Sequence, residues 1–205
     1  MPELTTSATM EDARGGRLCN GNANEMGGAS LKEKQRPVLF LDIDGVICTR
    51  KGAGWTRDGR PILRSIRRLP VRAIDPKTIK YLNTICSVTD AEVVVSSMWR
   101  IDRDVRQILS SRGFQGDFHE HWRTDADGPF RSDEIARWLG KHNWPEHIVI
   151  DDKESELMPF LDRLIKTNNY CGLRASDVDL AVGLLGFSRD LMDGEGLTQG
   201  VESSG

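Results

Sequence analysis

The feature that most constrains this chain is a short apolar run, Val38-Leu39-Phe40-Leu41, that ends in Asp42-Ile43-Asp44-Gly45-Val46. Consecutive apolar residues without polar alternation read as a strand buried on both faces, the habit of parallel sheets covered by helices. Two carboxylates and a Gly at the mouth of such a strand fall where open α/β sheets bind their ligands. A second run, His147-Ile148-Val149-Ile150, closes on Asp151-Asp152. Parallel strands ending this way bring up to four carboxylates to one sheet edge. Repulsion within such a cluster raises its pKa values unless a cation holds the acids ionised, and an all-oxygen donor set suits Mg²⁺. The plain alternative is a turn after a strand, since Asp and Gly both favour turns. The second acidic terminus weighs against it.

Between and beyond these strands the chain alternates. Asp75-Pro76 is an N-cap followed by Pro at the first helical position, with Ile79, Leu82, Ile85 and Cys86 on one helix face. Glu92 to Val95 reads as a strand ending in Ser96-Ser97, and Ile101, Val105, Ile108 and Leu109 repeat at helical spacing until Gly113. Asp117-Phe118-His119 reads as a short strand, and Ile135, Trp138 and Leu139 mark a helix over about 132–140. The strand 147–150 leads into Leu157, Leu161, Leu164 and Ile165, read as helical. Ser176 with Asp179 gives a capping-box-like start to a last helix carrying Leu180, Leu184 and Leu185, with Gly186 beyond it. Strand, helix, strand, helix predicts an α/β fold, a mostly parallel sheet covered on both faces.

Reading the strand ends in order gives Asp-x-Asp, then Ser-Ser, then a basic residue at a helix start in Arg131, then Asp-Asp. This ordered set resembles the haloacid dehalogenase-like (HAD) superfamily over about residues 37–188. Ser96-Ser97-Met98-Trp99-Arg100, Arg131-Ser132-Asp133-Glu134-Ile135 and Cys171-Gly172-Leu173 are similar to the small phosphatase-type members, including those joined to RNA-repair enzymes. The resemblance implies a three-layer, doubly wound, Rossmann-like sheet with a small cap or none. It implies that Asp42 is a nucleophile attacking phosphorus and that Asp44 is the general acid and base. It further implies that Ser97 or Ser96 binds a phosphoryl oxygen and that Arg131 holds the phosphoryl group. Mg²⁺ would be held by Asp42, the main-chain carbonyl of Asp44, Asp151 and Asp152. Arg stands at the third position where Lys is commoner in the superfamily.

Substrate clues come from the segment after the first strand. Between Gly45 and Ser96 lie 50 residues, part of which forms the helix after Asp75. The remainder is little for a folded lid, and in this superfamily lidless members often act on bulky substrates. Residues 45–74 carry eight basic residues against one acid in a chain whose formal charge is −3. Such a patch attracts polyanions, with Arg64, Arg67 and Arg68 to contact phosphates and Trp55 to stack on a base. The competing reading makes Ile62, Ile66 and Leu69 the buried stripe of a short helix whose Arg residues are only solvated.

The expected function is therefore a Mg²⁺-dependent phosphomonoester hydrolase acting through an aspartyl-phosphate, with a phosphate-ester substrate and nucleic-acid terminal phosphates as the favoured class. Its alternatives are a phosphatase of a small metabolite or a phosphoprotein, and a non-catalytic HAD-like binding or regulatory domain. Residues 1–36, with five Gly and three Asn, and the stretch 189–205 read as disordered tails. No run approaches a membrane span and the start lacks a secretory signal, so a cytoplasmic protein without a membrane partner is expected. Cys19, Cys48, Cys86 and Cys171 show no CxxC spacing. His119 and His121 flank Glu120, read as alternation on an exposed strand and given no role.

Overall fold

The computed structural model describes residues 35–54 and 71–186. Five parallel strands form one open sheet in the order β3-β2-β1-β4-β5. They are β1 (Val38–Leu41), β2 (Glu92–Val95), β3 (Phe118–Arg123), β4 (His147–Asp151) and β5 (Leu164–Lys166). The two acidic strands are neighbours at the centre, with Val38 to Leu41 paired against His147 to Ile150. Asp42 N–H bonds the Ile150 carbonyl at 3.0 Å, so Asp42 leaves β1 level with Asp151, the last residue of β4, which still pairs with Lys166 of β5.

Apolar residues on the two strand faces bury against different helices, which gives the three layers. Leu39 and Leu41 pack with Ile79, Leu82 and Ile85 of α1 (Pro76–Thr89), with Val105 and Leu109 of α2 (Val105–Ser111), and with Val178 and Ala181 of α4 (Ala175–Leu185). Val38, Phe40, Val94 and Val149 pack on the other face with Ile135, Trp138 and Leu139 of α3 (Arg131–Lys141), and with Leu157 and Phe160. The Trp138 ring meets Phe40 edge to face at 5.3 Å. Asp75 caps α1 as its sequence implies, accepting the Lys77 N–H at 2.8 Å.

Four readings need correction. Ile101 belongs to a 3₁₀ turn, Met98–Ile101, and is 55 % exposed; α2 starts only at Val105, where Asp104 accepts the Arg106 N–H at 3.1 Å. The segment after β4 forms two 3₁₀ turns, Glu154–Glu156 and Met158–Arg163, and then the edge strand β5, not a helix. Pro159 removes a helical N–H there, and Leu161 is exposed. The last helix is capped two residues earlier than Ser176 suggests: Arg174 is the N-cap, its N–H donates to Asp177 Oδ2 at 2.8 Å, and Leu180 faces solvent. β3 is longer than expected and irregular, since Val93 pairs with Phe118 but Val95 pairs with Arg123. Four residues, His119 to Trp122, bulge out between those two pairings.

The segment after β1 leaves and returns at one place. Thr49 N–H bonds the Ala73 carbonyl at 3.1 Å and Asp75 N–H bonds the Ile47 carbonyl at 3.0 Å, which closes the base of the excursion. Trp55, Arg64, Arg67 and Arg68 lie outside the described residues. Among the described residues no helix is long and apolar enough to cross a membrane.

Candidate active site

β1 ends at Leu41, so Asp44 reaches the sheet edge through a turn, not by strand alternation. Cys48 N–H closes onto the Ile43 carbonyl at 2.8 Å, and Gly45 N–H onto the Cys48 carbonyl at 2.8 Å. Gly45 has φ +83°, and a Cβ there would stand 2.5 Å from Asp152 Oδ2. Gly at this position thus serves both the left-handed backbone and the close approach of Asp152. The two acidic strand ends are interlocked through a missing side chain.

Asp42, Asp151 and Asp152 offer ligand oxygens that all lie within 4.8 Å of one another. Arg131, at the first turn of α3, enters the cluster from the opposite layer. Its Nη1 lies 3.2 Å from Asp42 Oδ2 and in direct contact with Asp151. Burial disfavours the guanidinium charge, but Asp42 and Asp151 outweigh it and hold the pKa above the ordinary arginine value. One cation does not neutralise the site. Burial, then the Asp42 charge, push the Asp151 and Asp152 carboxyls upward despite Arg131. Burial also raises Asp44, against the bond that Trp99 Nε1 donates to Asp44 Oδ2 at 3.0 Å.

The donor set suits a hard dication. Asp152 Oδ1 and Asp44 Oδ1 are buried without any hydrogen-bond partner, an arrangement that costs free energy unless something else satisfies them. Asp42, Asp151 and Asp152 are the residues that could hold such an ion, all through oxygen.

A family model described as the HAD domain in Swiss Army Knife RNA repair proteins matches residues 38–178. The chain belongs to this family. No curated protein and no solved structure matches it. The matched span covers Asp42, Ser96, Ser97, Arg131 and Asp151 and the five-stranded parallel sheet.

Of the residues singled out by sequence, the HAD fold brings Asp42, Asp44, Arg131, Asp151 and Asp152 together. Ser96 and Ser97 follow β2 and are both buried, and Ser96 Oγ has no partner. Three further residues, to which the motifs assign no role, shape the site. Arg100 is almost wholly buried and bonds the Ser96 carbonyl at 2.6 Å, the Thr124 carbonyl at 2.9 Å and Glu134 Oε2 at 2.6 Å. It thereby ties the end of β2 to the first turn of α3, the two elements that carry the serines and Arg131. Trp99 holds Asp44, and Arg103 lies over the Trp99 ring at 4.2 Å with its Nη1 buried and unpartnered. The signal for Arg100 was its place after Ser-Ser in a 3₁₀ turn. Two of its partners, however, Thr124 and Glu134, are 24 and 34 residues away.

Proposed function

We propose that this HAD domain is a Mg²⁺-dependent phosphomonoester hydrolase acting on terminal phosphates of RNA or DNA. The observation that carries the reading is the convergence of Asp42, Arg131, Asp151 and Asp152 at the ends of two level, paired strands. When bound, Mg²⁺ would offset the repulsion between a carboxylate and an incoming phosphate. In the first step an Asp42 carboxylate oxygen forms a bond to phosphorus while the bond from phosphorus to the leaving oxygen breaks. Asp44 gives that oxygen its proton. In the second step water attacks phosphorus, Asp44 takes the water proton, and the Asp42 carboxylate is released with inorganic phosphate.

The raised Asp44 pKa favours the proton-bearing form that the first step needs. Arg131 is placed to share its five donors between Asp42 and a phosphoryl oxygen, and a Ser96 or Ser97 hydroxyl would donate to another. Support for a nucleic-acid end comes from the basic segment 45–74 and the RNA-repair family.

The test is a hydrolysis screen of oligonucleotides bearing 3′ or 5′ phosphates against small esters, with salt varied. The proposal expects steep salt dependence for oligonucleotides and weak dependence for a small ester. Replacing Arg64, Arg67 and Arg68 with Ala should raise the oligonucleotide KM alone. Equal salt sensitivity for both would return the substrate to a small metabolite or a phosphoprotein.

A further inference from the structure

The bulge in β3 has an outcome that the alternating pattern of His119 and His121 does not suggest. A third imidazole, His142 at the C-terminus of α3, joins them, and one nitrogen of each ring lies within 4.8 Å of the other two. The ring centroids are 4.9 to 5.8 Å apart. We propose that His119, His121 and His142 form a binding site for a borderline transition-metal dication of the Zn²⁺ class, separate from the acidic cleft.

The geometry is close to that of a three-imidazole site. His142 Nε2 stands 3.1 Å from His121 Nδ1. A tetrahedral ion with bonds of 2.0 to 2.1 Å needs roughly 3.3 Å between ligand atoms, so that pair is already nearly in place. The widest pair needs an adjustment of at most roughly 1.5 Å, within the reach of a side-chain rotation.

The proton arrangement is also set. His142 Nδ1 is 2.7 Å from the Trp138 carbonyl, which can only accept, so Nδ1 carries the proton and Nε2 presents its lone pair to the cluster. This is the carbonyl-to-imidazole bond that orients a metal-binding histidine. His119 Nδ1 accepts the backbone N–H of His121 at 3.0 Å, so it too presents a lone pair, which an ion would take in place of that bond.

Trp138 holds the cluster together. Its ring stacks on His142 at 3.8 Å and 18°, and its indole N–H bonds the His121 carbonyl at 3.0 Å. One residue of α3 therefore contacts the His142 and His119 rings, the latter edge to face at 4.8 Å, and the backbone that carries His121. A helix C-terminus favours positive charge. The His121 side chain is 63 % exposed, which leaves a way in for the ion and a fourth position for water. Imidazole nitrogens suit Zn²⁺, Ni²⁺ and Cu²⁺ and are poor for Mg²⁺, so two ions of different hardness would sort between the cleft and this cluster. An ion here would join the edge strand β3 to α3, the helix that presents Arg131 at its other end.

The test titrates Zn²⁺ calorimetrically into the full chain in excess Mg²⁺ at about pH 7.5, and follows Co²⁺ by its absorption spectrum. One Zn²⁺ per chain and a tetrahedral Co²⁺ spectrum are expected. His119→Gln and His142→Gln should each weaken Zn²⁺ by at least about tenfold, the scale at which loss of even an outer partner is felt. Circular dichroism of the metal-free variants checks that they fold. Asp152→Asn and Cys171→Ser, which change the acidic cleft and an exposed thiol, should leave Zn²⁺ binding unchanged. No Zn²⁺ binding, undiminished affinity in the His119→Gln/His142→Gln double variant, or loss of the ion in Asp152→Asn or Cys171→Ser would each overturn the proposal.

Discussion

Helix α3 has a polar cluster at each end, and the two were built by different means. At its start Arg131 enters a set of carboxylates that stand on the ends of central strands in regular register. At its finish His142 meets two histidines displayed by an irregular edge strand. The first cluster is hard, oxygen-rich and buried; the second is nitrogen-rich and half open. Regular pairing places groups where the sequence pattern says they will be. Irregular pairing places them where only the folded chain can say.

The comparison breaks first at the acidic end if Asp44 is not the proton donor. Asp44→Asn should lower turnover by about 10² to 10⁴, the usual contribution of a positioned acid and base. Steady-state rates on a phosphorylated oligonucleotide measure it, and a loss below tenfold would assign the proton to another group.

The next largest effect concerns what keeps the acidic end in shape. Arg100→Met leaves Glu134 buried without its partner at 2.6 Å, together with three carbonyls, of Ser96, Thr124 and Asp125, that lose their donor. It should destabilise the domain by about 3 to 5 kcal/mol in denaturant unfolding. A comparable change at Arg36, whose side chain and partners Asp90, Glu92 and Asp117 are all partly or well exposed, should cost about 1 kcal/mol or less.

The two ends should also respond to pH in opposite directions. Burial and the Asp42 charge raise Asp151 to about 7 from 3.8, so the metal-free folded state holds a proton that the unfolded chain has released. Stability from this group therefore falls as pH rises through that window. Mg²⁺ at 100 times its Kd should restore about 2.7 kcal/mol at neutral pH and much less in acid. Burial lowers His119, helped by His142 and His121 and opposed by Glu92 and Glu120. Its folded pKa lies below 6.5, so its contribution is present above that value and is lost as pH falls. Thermal unfolding of Asp151→Asn and His119→Gln across pH, in chelator, separates the two trends. A common sign in both variants would collapse the comparison.

The smallest expected effect lies between chemistry and scaffold. Trp99→Phe removes the indole bond that favours ionised Asp44. The Asp44 pKa then rises further, and the pH above which turnover falls, read from the pH–rate profile, moves up.

Much of the fold was legible because its central residues obey one period at a time. Val38 to Leu41 and Ile148 to Ile150 are apolar without alternation, Asp75-Pro76 marks a helix start, and each element forms where its pattern points. The acidic cleft was legible for the same reason, since Asp42 and Asp151 each follow such a strand. Ile101 and Leu161 carried helical spacing but sit in 3₁₀ turns, where short-range spacing is similar and the neighbours decide. Trp99 and Arg100 were visible only as local texture, because their roles rest on Asp44, Thr124 and Glu134, all distant in sequence. His119 and His121 read as ordinary alternation because the third imidazole and the bulge belong to tertiary structure alone.

The account stands or falls on whether Asp42 becomes phosphorylated. A single turnover of a phosphorylated oligonucleotide, quenched in acid, reduced with borohydride and digested, converts an aspartyl-phosphate into homoserine that mass spectrometry can place. The account predicts homoserine at position 42 in the wild type with Mg²⁺, none after chelation, and neither adduct nor turnover in Asp42→Asn. Wild-type turnover in Asp42→Asn, or undiminished turnover in excess chelator, would contradict it.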